Sequence, residues 1–193
     1  MKLFLVRHGE TDWQLVSARG VKGMAASLAP LTDLGRLQIE TIATDFRLQE
    51  AEAILCSSYA RALESAALLS RKLNKPLYVE YDLHEWLPQK DSLADISESL
   101  LMQASEGLTL EIDKHILPDG VPWESLSEVR ERVVNVLKRY EHFSSVVVVT
   151  HAMVISSLLG EKRAVDHAEI VPFELDLMTP MPAIDNVLES RVQ

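Results

Sequence analysis

Arg7 and His8 follow directly on an apolar run, Leu3-Phe4-Leu5-Val6, and Gly9 follows them. The pattern reads as a buried strand entering a tight turn, which sets a guanidinium and an imidazole together at a strand's carboxyl end. Arg61 lies four residues past Ser57, where a second apolar run ends, and His151 follows Val146-Val147-Val148-Val149-Thr150. In an open α/β sheet ligands bind at the carboxyl ends of the strands, so two arginines and two histidines are expected to converge on one edge. That set suits phosphate. Guanidinium forks hold its oxygens in pairs and neutralise developing charge, while an uncharged imidazole can attack phosphorus and carry the phosphoryl group as phosphohistidine. The neighbouring cations are expected to hold His8 unprotonated, and a hydrogen bond from one ring nitrogen would free the other for attack. The proton for the leaving oxygen is assigned to Glu85, desolvated near Leu83 and Trp86, with Asp82, Glu80 and Glu10 as the other carboxyls in reach.

The elements that must position these residues follow a βα rhythm. Asp12 to Pro30, with Gly20, Gly23 and Pro30, is expected to be an irregular loop. Thr32 reads as the N-cap of an amphipathic helix from Asp33 to about Leu48, carried by Leu34, Leu37, Ile39, Ile42, Ala43 and Phe46. Gly35 in its first turn costs helix propensity, which suggests close packing there. A central strand at Ala53 to Ser57 leads into a helix ending near Leu73, and a third strand spans Pro76 to Glu80. Ser125 or Ser127 caps a long helix running to Phe143. The valines form a strand buried on both faces, and Ala152 to Leu159 a short helix stopped by Gly160. Val171 to Leu177 reads as an edge strand. Between Trp86 and Trp123 the rhythm breaks: Leu93, Ile96, Leu100 and Leu101 suggest a helix among prolines and glycines, either a lid over the site or a surface decoration.

Composition narrows the partners. A formal charge of −10 without a Lys/Arg cluster argues against nucleic acid and anionic membrane, so an anionic substrate must meet locally placed arginines. Cys56 is the sole cysteine, which rules out an internal disulfide or a cysteine-based zinc site, and its apolar surroundings suggest a buried, inert thiol. No apolar run approaches a membrane span and the first residues lack a signal-peptide core, so a single domain in the cytoplasm is expected. Nothing in the sequence sets an oligomeric state.

Arg7-His8-Gly9-Glu10-Thr11 with Trp13 resembles the signature of the histidine phosphatase superfamily, the phosphoglycerate mutase-like group. Leu31-Thr32-Asp33-Leu34-Gly35 with Gln38 resembles its Leu-Thr-x-x-Gly-x-x-Gln helix start, and Ser57 to Ala62 its Ser-Ser-x-x-Arg-Ala element. Leu83 to Trp86 resembles its Leu-x-Glu segment, Glu124-Ser125 its Gly-Glu-Ser, and Val149-Thr150-His151 its Ser/Thr-His-Gly. The resemblance implies a three-layer αβα sandwich with a mostly parallel central sheet. It also implies His8 as the phosphorylated nucleophile, Arg7, Arg61 and His151 around the phosphate, Glu85 as proton donor, and no metal or other cofactor. Gln14 stands where the family has an asparagine that contacts phosphate and is expected to substitute for it; Ala152 stands where a glycine follows the second histidine. Glu64-Ser65 replaces Gln-Thr, Trp123 replaces a glycine, and Leu87 to Asp91 replaces a glycine-rich stretch.

The expected activity is hydrolysis of a small phosphomonoester, with a lid-like insertion at about 87–123. A mutase-type phosphotransferase is the alternative, disfavoured because the chain is short and lacks an extended C-terminal segment. A phospho-ligand-binding domain without turnover is the second. A metal hydrolase is disfavoured because neither histidine has the spacing of a ligand pair and the arginines would repel a cation. His84, His115, His142 and His167 are read as surface residues, and Arg19 and Lys22 as solvated loop cations.

Overall fold

The computed structural model describes residues 1–90, 123–160 and 163–176. The helix expected around Leu93 to Leu101, His115 and most of the 87–123 insertion lie outside the described residues.

Five strands form one sheet: β1 (Lys2–Arg7), β2 (Ala53–Ser57), β3 (Leu77–Glu80), β4 (Ser145–Thr150) and β5 (Ile170–Glu174), in the order β3-β2-β4-β1-β5. The first four are parallel and β5 runs antiparallel to β1 along the edge. Pro172, which donates no ladder hydrogen bond, sits on that edge strand. Because β4 lies between β1 and β2, Arg7 is in register with Thr150, and Cys56 and Val6 both face Val149. Three carboxyl ends, those of β1, β4 and β2, therefore end side by side.

Alternation along the strands splits the core into two. Leu3, Leu5, Leu55, Val146 and Val148 pack against α5 (Leu126–Lys138) and α6 (Ala152–Leu159). Phe4, Val6, Ile54, Val147 and Val149 pack against α2 (Asp33–Ile42) and α4 (Ala60–Leu73). Helices on both faces make the expected three layers, and Val146 to Val149 are fully buried, as their uniform sequence requires.

Several local expectations need correction. The 12–30 segment is not irregular: Asp12 caps α1 (Trp13–Ala18) by accepting from the Leu15 N–H, and a 3₁₀ turn spans Gly23–Leu28. The helix after Thr32 stops at Ile42, because Asp45 turns to cap a separate α3 (Phe46–Gln49). Its inner face is Gly35, Ile39 and Ala43, while Leu34, Leu37 and Phe46 are exposed. The helix that follows Ser125 ends at Lys138 rather than Phe143, and Ser125 caps it through a full capping box with Glu128. Cys56 is buried, and burial pushes its thiol up to about 12, which keeps it unreactive.

The N-terminus of α2 is seated on the Gly9 turn. A Cβ on Gly35 would come 2.2 Å from the Glu10 carbonyl oxygen, and one on Gly9 would come 2.4 Å from the Gly35 oxygen. Neither glycine needs its freedom of φ; both are required by backbone meeting backbone. Gly35→Ala should consequently destabilise the fold by about 1–3 kcal/mol through overpacking, against the roughly 1 kcal/mol gain that helix propensity alone gives. Urea unfolding of the variant measures the sign.

Candidate active site

The turn after β1 presents the His8 ring. The His8 N–H donates to the Thr150 carbonyl at 3.1 Å, tying the turn to β4. The Gly9 N–H donates to Ser65 Oγ, the Glu10 N–H to Gln38 Oε1, and Thr32 Oγ1 donates to Glu10 Oε2 at 2.6 Å while capping α2. Glu64 accepts from the Leu31 N–H and from Arg36. Glu64-Ser65, a departure from the family pattern, thus braces the turn from α4.

His8 is buried and its orientation is set by a backbone bond: Nδ1–H donates to its neighbour's carbonyl, Gly9 O, at 2.8 Å. A carbonyl can only accept, so Nδ1 carries the proton and Nε2 a lone pair. That lone pair faces Arg61, whose Nε–H donates to it at 3.2 Å. Burial first, with Arg61 and Arg7 adding to it, pushes the His8 pKa down to about 3, so the ring is uncharged at neutral pH. The expected cation effect is present but secondary to burial.

His151, fully buried, stands with its ring centroid 5.1 Å from that of His8. Ser57 Oγ accepts from the Tyr59 N–H and lies 2.8 Å from His151 Nε2. Among the described residues Nδ1 of His151 and Nε of Arg7 are buried without a hydrogen-bond partner. Burial, helped by Arg61 and His8, holds His151 well below its usual pKa. The Arg7 Nη1 donates to Val165 O at 2.6 Å, and the Arg61 guanidinium lies over the rings of Trp13 (5.3 Å) and Tyr59 (5.1 Å).

Glu85 follows the short 3₁₀ turn Tyr81–Leu83 and accepts from the Trp86 N–H at 2.9 Å. Burial raises its pKa, opposed by that hydrogen bond and by Arg61, Arg132 and Arg7. Its segment is clamped by a buried ion pair: Arg132 binds Glu124 and also donates to the Asp82 carbonyl at 2.6 Å, while Glu124 accepts from the Leu87 N–H. Trp123, where the family has glycine, is buried in the adjoining core.

The strand ends thus bring Arg7, His8, Arg61 and His151 together. Glu85 is coupled electrostatically to Arg7 and Arg61. Ala152 is the first residue of α6, with His151 as extended N-cap, a place where a methyl group is welcome. Gln14 is exposed on α1 and lines a cavity of about 730 Å³ with Glu10, Trp13, Arg36 and His167, beside the buried cluster rather than inside it. Arg19 and Lys22 are exposed, and so is His142.

Two histidines expected at the surface are not there. His84 is buried, stacked on Tyr59 at 6.0 Å, with Nδ1 donating to the Glu85 carbonyl. His167 is half-buried with its ring 5.7 Å from His8. It arrives there because β5 is antiparallel: residues just before β5 must lie at the carboxyl end of β1. Ala168, held at a φ of 58°, donates its N–H to Arg7 O and locks the loop in place. The edge strand was legible in the sequence; its direction was the missing signal.

The chain is 25% identical over 170 residues to an adenosylcobalamin/alpha-ribazole phosphatase of Escherichia coli (83% of this chain, 78% of that one). It is 27% identical over 169 residues to a Yersinia pestis protein named "Probable phosphoglycerate mutase GpmB" (83% and 74%). A phosphoserine phosphatase variant from Entamoeba histolytica, solved with phosphoserine, shares the fold at a TM-score of 0.65 and 20% identity (90% of each chain). No helix of the described residues is long and apolar enough to cross a membrane. The family model of the histidine phosphatase superfamily, branch 1, matches residues 3–179, and with the strand-end cluster of Arg7, His8, Arg61 and His151 it establishes that the chain belongs to that superfamily.

Proposed function

We propose that the chain is a single-domain cytoplasmic phosphatase that hydrolyses a small phosphomonoester without a metal, through a phosphohistidine on His8. The observation that carries this reading is the His8 tautomer: a buried, uncharged ring whose Nε2 lone pair faces a guanidinium. Arg61 and Arg7 supply the positive charge that the phosphoryl oxygens need, and the buried Nδ1 of His151 has no protein hydrogen-bond partner. In the first step Nε2 attacks phosphorus and the bond to the alcohol oxygen breaks, while the neutral Glu85 carboxyl gives that oxygen its proton. Arg61 turns its Nε–H from Nε2 to a phosphoryl oxygen as the N–P bond forms. Water then attacks the phosphohistidine, the Glu85 carboxylate takes its proton, and phosphate departs from a neutral His8. Gln14 and the backbone at Ala152 are proposed as further contacts to the phosphorylated substrate.

Likeness to a protein named as a phosphoglycerate mutase favours a second reading, transfer of the phosphoryl group to another alcohol instead of water. A phosphoenzyme that outlives substrate exchange marks transfer; one lost to water within a turnover marks hydrolysis.

His8→Ala should lower p-nitrophenyl phosphate hydrolysis by at least about 1000-fold, and acid quenching of the wild type should trap acid-labile phosphate on His8. Phosphate trapped on serine, or activity retained in the variant, defeats the mechanism. Glu85→Gln should slow alkyl phosphates far more than p-nitrophenyl phosphate, whose leaving group needs no proton. The pH profile carries the same signs. His8, already neutral, loses nothing until pH falls toward its pKa of about 3. kcat falls as pH rises through the raised pKa of Glu85, and that alkaline limb should vanish in Glu85→Gln.

A further inference from the structure

Trp13 is a large apolar side chain left half in water on the short helix α1, and its indole lies against a guanidinium that the chemistry uses. The central carbon of the Arg61 guanidinium stands 5.3 Å from the centre of the Trp13 ring and 5.1 Å from that of Tyr59, within range of a cation–π attraction to both. Tyr59 is the N-cap of α4, and Arg61 is the second residue of that helix, so their contact is local. Trp13 comes from a distant part of the chain, and a circuit of bonds brings it there. Thr11 bridges to Leu31, and the Asp12 N–H donates to the Pro30 carbonyl at 2.8 Å. The Leu31 N–H donates at 2.9 Å to Glu64, on the same helix as Arg61. Indole and guanidinium are thus carried on backbone segments that are bonded to each other.

Arg61 has a task that one hydrogen bond does not fix. In the free protein its Nε–H is spent on the Nε2 lone pair of His8 at 3.2 Å, the atom that must attack phosphorus. That donor has to pass to a phosphoryl oxygen as attack begins. A carboxylate beside Arg61 would compete with phosphate for the N–H fork, whereas a ring face attracts the cation and takes none of its donors. Such a face also leaves the guanidinium able to turn while holding it at one depth.

We propose that Trp13 is a positioning residue for phosphoryl transfer, its indole holding the Arg61 guanidinium in place while the Nε–H passes from His8 to the phosphoryl group. The inference rests on the phosphatase reading. Tyr59 shares the task but also touches His84 and His151, which makes Trp13 the cleaner probe.

The test compares p-nitrophenyl phosphate hydrolysis by the wild type, Trp13→Phe, Trp13→Leu, Arg61→Gln and the double variant Trp13→Leu, Arg61→Gln. Leucine is the better helix former and the position is half-exposed, so α1 survives the change. kcat/KM should fall about tenfold in Trp13→Leu but less than about threefold in Trp13→Phe, which keeps a π face. Without the Arg61 cation there is nothing to hold, and adding Trp13→Leu to Arg61→Gln should cost less than about twofold. A loss in Trp13→Phe as deep as that in Trp13→Leu overturns the proposal. So does an undiminished loss in the Arg61→Gln background, which would place the indole against substrate instead of Arg61. If the wild type hydrolyses no phosphomonoester, the phosphatase reading falls, and calorimetric titration with inorganic phosphate reads the indole's hold on Arg61 alone. Trp13→Leu should then weaken phosphate binding at least about threefold with Arg61 present and leave it unchanged in Arg61→Gln. Phosphate bound equally by the wild type and Trp13→Leu overturns it.

Discussion

Two guanidiniums that cannot give up their protons, Arg61 buried and Arg7 half-buried, lie beside imidazoles at the ends of three adjacent strands, and the rest of the structure answers to that constraint. An isolated charge taken out of water costs several kcal/mol, so each cation must find partners and each ring must stay neutral. Arg7 reaches the Val165 carbonyl, and Arg61 lies between two aromatic faces with its Nε–H on a histidine lone pair. His8, His84 and His151 are all held below their usual pKa, with burial as the leading cause. The result is a pocket whose positive charge is wholly arginine. Its histidines add none, so each ring keeps one nitrogen with a lone pair.

Neutral rings must also be fixed in tautomer and direction, and this is what the surrounding layers do. Placing β4 between β1 and β2 brings His8 and His151 within one ring contact of each other. The Gly9–Gly35 contact lets α2 press against the nucleophile turn, and Thr32, Gln38 and Ser65 take up the turn's polar groups. On the other side the buried Glu124–Arg132 pair clamps the segment that carries Glu85. A glutamate on an untethered loop would be solvated and ionised. Tethered and desolvated, its carboxyl is held above the usual carboxylate range.

The sheet, both helical layers and the converging strand ends were legible in the sequence, because parallel buried strands write themselves as unbroken apolar runs such as Val146 to Val149. Helix limits were less so. Asp12 and Asp45 carried N-cap signals that were outweighed by a loop-like composition and by an apolar period, and the exposed Leu34, Leu37 and Phe46 made that period misleading. The departures from the family pattern proved intelligible only in three dimensions. Glu64 and Ser65 hold the Leu31 and Gly9 amides, and Ala152 begins a helix. His84 and His167 were misread as surface residues for one reason. Their burial depends on what stacks across from them, Tyr59 and His8, and on the antiparallel return of β5, none of which is local in sequence.

Net charge and site charge pull in opposite directions here. At −10 the chain repels a phosphate dianion at long range, which slows encounter. Salt screens that repulsion over about 8 Å at physiological ionic strength, whereas the strand-end cluster lies inside the protein, where screening is weak. An anion held by Arg7 and Arg61 is then bound through desolvated contacts and not drawn in by steering. A site of that kind pulls strongly on one anion at a fixed depth. The acidic surface and the arginine-lined pocket are in that sense one device: the first sets a general bias against anions, and the second makes a single exception to it.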